Sequence, residues 1–104
     1  MPLMNENRVK PVNAENWVYV LVQDPDADAQ ILGQQDTKSQ VAYVPVFKDK
    51  DSALALAPHL AKPLGHRYEV QAILYEDLAF YAKENGFWMF FIDSQGNVVD
   101  RKAP

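Results

Sequence analysis

The chain has 104 residues, a formal net charge of -4 and no cysteine. That length makes one domain with a modest core, and the lack of cysteine excludes disulfides, thiolate nucleophiles, iron–sulfur ligation and cysteine zinc sites. The acidic balance, with lysines and arginines scattered along the chain, argues against nucleic-acid binding, which needs a basic footprint. A hydrophobic content of 48% beside 23% charged residues is that of a soluble globular domain. No apolar run reaches the length of a membrane span and the amino terminus lacks a signal-peptide core, so no membrane association and a cytoplasmic location are expected.

Residues 1–16 are polar, contain Pro2 and Pro11 and show no periodicity, the pattern of a flexible amino-terminal arm. Trp17 to Gln23, WVYVLVQ, is aromatic and β-branched and reads as a strand stopped by Asp24-Pro25. A turn rich in Asp and Pro leads to Gln30 to Gln35, QILGQQ, read as a second strand with Gly33 as a bulge. Val41 to Phe47, VAYVPVF, is apolar at both parities, and Pro45 either removes it from the sheet centre or places a bulge at its end. Asp49, Asp51 and Ser52 are cap candidates for a helix that buries Ala53, Leu56, Ala57 and Leu60 at i, i+3, i+4, i+7. Pro58 predicts a kink or an early stop followed by a short second turn.

Tyr68 to Leu74 reads as a fourth strand and Tyr75 to Asn85 as a second helix, with a Leu78–Tyr81–Ala82 stripe and a stop at Asn85-Gly86. Phe87 to Asp93, FWMFFID, is apolar enough for a central strand, with Trp88 and Phe90 on one face and Phe87, Met89 and Phe91 on the other. A turn at residues 93–97 returns the chain as a hairpin to Arg101, and residues 102–104 fray. The predicted order is βββ-α-β-α-ββ: an α+β domain over residues 17–101, with a single mixed, mostly antiparallel sheet and two helices on one face.

The succession YVLV, ILGQQD, VPVF followed by KDKDSALALA, EVQAI and YEDLAFYAKENGF resembles the amino-terminal domain of SseB and related small bacterial domain families of unknown function. The likeness spans about Trp17 to Asp93 and lies in hydrophobic spacing and one strand-to-helix turn. It implies the fold and transfers no activity or functional residue.

Chemical constellations are sparse. Asp24, Asp26 and Asp28 have the spacing of a calcium loop, but Ala29 and Gln35 stand where it needs Gly and Glu, so solvated turn acids are the better reading. His59 and His66 flank a helix end and lack companion ligands. Glu69, Glu76 and Asp77, with Tyr75, are the residues from which a small enzyme would build an acid–base pocket, yet capping explains Glu76 and Asp77. No catalytic, cofactor-binding or metal residue is assigned. Aromatic residues at 12% are the richest feature. If the helices cover one sheet face, then Tyr19, Tyr43, Trp88 and Phe90 on the other form an interaction surface for a protein partner or a second copy. A non-enzymatic binding module is therefore expected, with a small enzyme and a small-ligand sensor as the rivals.

Overall fold

The computed structural model describes residues 16–104; the expected amino-terminal arm lies, but for Asn16, outside the described residues. Seven strands and two helices follow in the order β1 (Trp17–Gln23), β2 (Gln30–Ile31), β3 (Gln34–Asp36), β4 (Val41–Val46), α1 (Lys50–Leu56), β5 (Tyr68–Leu74), α2 (Tyr75–Asn85), β6 (Trp88–Ile92) and β7 (Val98–Lys102). The class is α+β, as the periodicities predict.

The single sheet is not what forms. Sheet one is β2-β1-β5, all antiparallel, and sheet two is β3-β4-β6-β7, with β4 and β6 parallel. The stretch expected as one bulged strand, Gln30 to Gln35, is divided between them: Gln30–Ile31 pairs with β1, Gln34–Asp36 pairs with β4, and Leu32-Gly33 crosses over. The crossing needs glycine, since a Cβ on Gly33 would stand 2.9 Å from the Phe87 ring. Backbone bonds from Tyr19 N–H to Phe47 O (2.8 Å) and from Phe47 N–H to Tyr19 O (2.9 Å) tie the sheets together.

The helices do not share one face either. The main core packs Leu78 and Ala82 of α2 against Val18, Val20 and Val22 of β1 and against Val44, Val46, Met89 and Phe91 of sheet two. A second cluster packs Ala53 of α1 with Phe47, Ile92, Tyr19 and Val70. Successive β1 side chains point to opposite faces, so α1 and α2 lie on opposite sides of sheet one. The cause is legible in β1 itself, which is apolar at both parities and must be covered twice. Leu78 is fully buried, a burial that favours folding by about 1.5–3 kcal/mol.

The local signals act as expected. Asp49 caps α1, its carboxylate accepting from Ser52 N–H at 2.8 Å. Pro58 ends α1 early, and a 3-10 turn takes over at Ala57–His59. Gly86, with φ 75°, closes α2. Pro45 is fully buried in an interior strand, but β3 pairs with β4 only as far as Tyr43, so no ladder on that side needs the missing N–H.

Candidate aromatic–arginine face

Sheet two places Tyr43 of β4 beside Trp88 of β6, and Phe90 of β6 opposite Arg101 of β7. Tyr43 and Phe90 stack with centroids 4.1 Å apart and planes 13° off parallel. Trp88 meets Phe90 edge-on at 6.4 Å, and the Arg101 guanidinium carbon lies 5.1 Å from the Phe90 centroid, within cation–π range. None of Tyr43, Trp88 or Phe90 belongs to either helix-covered cluster. Phe90 is only 3% exposed, because its neighbours cover it, whereas Tyr43 and Trp88 are half-buried and Arg101 is exposed.

Asp36 gives this face an acidic margin. Its carboxylate accepts from the Ser39 hydroxyl and from Ser39 N–H at 3.1 Å. Those bonds, with a smaller contribution from Arg101, hold its carboxyl below the usual carboxylate range. Burial, and secondarily the Asp36 charge, push the Tyr43 phenol up, so Tyr43 is a neutral donor near neutral pH. The arrangement brings together a stacked aromatic ridge, a guanidinium and a carboxylate.

Of the four residues expected on one surface, Tyr43, Trp88 and Phe90 come together. Tyr19 does not join them: it lies on sheet one and packs with the Phe47 and Ala53 cluster beneath α1. Arg101 and Asp36 are the members that sequence reasoning missed. Arg101 could have been found by extending the β6–β7 hairpin register, which sets it opposite Phe90.

The other sequence candidates take different places. Asp24 accepts from His66 Nδ1 at 2.6 Å and from Arg67 N–H at 3.2 Å, and Asp26 pairs with the Arg67 guanidinium. These contacts, led by His66, lower the Asp24 pKa. Two of the three turn acids thus fasten the turn after β1 to the segment before β5, and no cluster of metal-ligating side chains occurs among the described residues. His59 is exposed at the end of the 3-10 turn. Tyr75 leans toward Phe91, centroids 6.3 Å apart, while Glu76 and Asp77 stand exposed in the first turn of α2. Tyr75 does line a cleft of about 740 Å³, together with Trp17, Phe91, Lys48, Asp100 and Lys102. Lys102 is 3.4 Å from Asp100 there.

No known family profile matches the chain, and neither curated proteins nor solved structures give a significant match. No helix among the described residues is long and apolar enough to cross a membrane.

Proposed function

We infer that this is a non-enzymatic protein-interaction or regulatory binding module of the bacterial cytoplasm, which receives a protein partner on the Tyr43–Trp88–Arg101 face. The observation that carries this reading is the half-buried Tyr43 and Trp88 flanking the buried Phe90, with Arg101 over its ring, outside both helix-covered clusters. Tyr, Trp and Arg are the side chains that dominate binding energy at protein interfaces. Phe90 is already desolvated, so it acts as the floor that fixes Tyr43 and Arg101, and little ordering entropy remains to oppose binding. The likeness to SseB-type domains is carried with this reading. Its test is a photo-crosslinking amino acid placed at Tyr43 and, as a control, at Phe80, which is 66% exposed on α2. A specific adduct is expected from position 43 alone and is lost with Arg101→Glu. Equal capture at both positions, or an adduct indifferent to Arg101, would refute the assignment.

A second reading attaches to the 740 Å³ cleft, whose size and mix of Trp17, Tyr75 and lysines suit a small planar acid. A thermal-shift screen of aromatic carboxylates, with Lys48→Ala as control, tests it. A flat screen removes it.

A further inference from the structure

Among the described residues the two sheets have four edges, and three are blunted against strand addition. β2 has two residues and β3 has three, and the Gln34 side chain on β3 is taken up by Ala61, donating to its O at 2.7 Å and accepting from its N–H at 3.0 Å. β7 carries exposed Asp100, Arg101 and Lys102 and a register shift in its pairing with β6. Charges, bulges and shortness are the usual protections of an edge. β5 has none of them in force: its seven residues pair with β1 without a break, contain no proline, and include one charge, Glu69.

The hydrogen bonds fix which β5 groups face outward. Tyr19 spends its N–H and C=O on Phe47, and Leu21 O accepts from Leu32 N–H at 2.8 Å, so these β1 residues turn away from β5. Val18, Val20 and Val22 therefore turn toward it, and bond their partners Ile73, Gln71 and Glu69. The N–H and C=O of Val70 and Ala72 are left pointing to the open edge.

We propose that a second copy of this chain adds its own β5 here, antiparallel about a two-fold axis at Gln71, joining two three-stranded sheets into one. That register uses all seven residues of β5: Val70 and Ala72 exchange bonds with the partner's Ala72 and Val70, and Glu69 falls opposite the partner's Ile73, so no carboxylate meets another. The helices fit the same operation. Ala53 of α1 shares a cluster with Tyr19 of β1 and Val70 of β5, and α1 touches both strands, which sets it over the β1–β5 boundary. With strands about 4.8 Å apart, the two α1 helices then lie about 10 Å apart, the spacing of packed helices. Lys50 borders both the groove with Ala72 and the one with Tyr68 and Val70, whereas Leu54, Ala57 and Pro58 border only the second, so α1 runs antiparallel to β5. The two-fold sets Leu54, 51% exposed in the single chain, against the aliphatic stem of the partner's Lys50.

Sedimentation and light scattering of the full chain from micromolar to millimolar concentration test this, with hydrogen exchange at Val70 and Ala72. The expected result is a dimer in which those two amides gain protection with concentration. Ala72→Pro deletes an outward N–H while sparing the β1 ladder and should raise the dissociation constant by about 100-fold or more. Leu54→Glu, which leaves the backbone alone, should weaken the dimer too and decides the matter if the proline variant unfolds. Trp88→Glu should leave the dimer unchanged, which separates this interface from the aromatic face. A monomer throughout the range, a dimer indifferent to Ala72→Pro and Leu54→Glu, or one abolished by Trp88→Glu overturns the proposal.

Discussion

Gly33→Ala tests how the chain passes from one sheet to the other. The added methyl would sit 2.9 Å from Phe87 Cε1 and 3.2 Å from Cζ, with the Tyr43 carbonyl at 3.6 Å behind it. The ring has little freedom to retreat, because Phe87 stacks on Tyr81 with centroids 6.0 Å apart and packs against the main core. Overpacking of this kind costs about 1–3 kcal/mol. Alanine also restricts the unfolded chain, which offsets about 0.4–1 kcal/mol. The net expectation is a loss of roughly 1–2 kcal/mol, a fall in Tm of about 4–16 °C for a domain of this size. Urea unfolding followed by tryptophan fluorescence measures it. The double variant with Phe87→Leu separates cause from coincidence: smaller than phenylalanine, leucine should recover most of the loss caused by the methyl, giving a coupling energy of about 1 kcal/mol. A neutral or stabilising Gly33→Ala, or strictly additive effects, would show that the crossover is not tight.

Two further outcomes follow from local contacts. Asp49→Ala removes the cap on Ser52 N–H and should lower stability by about 1 kcal/mol in the same assay, with Asp49→Asn retaining most of it. Asp24 has a folded pKa below its unfolded one because of His66 and Arg67, so its contribution is present above the unfolded value near 3.9 and is lost as pH falls through the lower folded value. Asp24→Asn should therefore destabilise at neutral pH, and its gap to the wild type should close as the pH falls through that lower folded value, as read from Tm against pH; a gap of constant size at all pH values contradicts the assignment.

The parts of the fold that were legible in the sequence are those whose determinants are local. α2 is written in the spacing of Leu78 and Ala82 and in Gly86, and the break at Pro58 follows from a missing N–H. The sheet switch at Leu32-Gly33 was not legible, because QILGQQ reads the same whether it pairs with one neighbour or two, and the ring that makes Gly33 necessary arrives much later in the chain. The signal for opposed helices lies in β1: Leu21 and the ring of Tyr19 add apolar surface on the face opposite Val18, Val20 and Val22, and a strand rich at both parities requires two covers. In the candidate site, alternation placed Trp88 and Phe90 together, and Tyr43 joined them through parallel pairing. Tyr19 stands apart from them because alternation gives a side of a strand but not which sheet owns it. Arg101 went unseen for the converse reason, since its significance comes from what it faces across the hairpin.

The main core takes valines from β1 of sheet one and from β4 of sheet two, together with two residues of α2. Neither half of the architecture possesses an interior of its own. The strands are also interleaved along the chain, so no single cut in the backbone parts one sheet from the other. Evolution can lengthen the loops of such a molecule, but it cannot divide it into smaller working parts or borrow one sheet for another protein: the domain is inherited whole or lost.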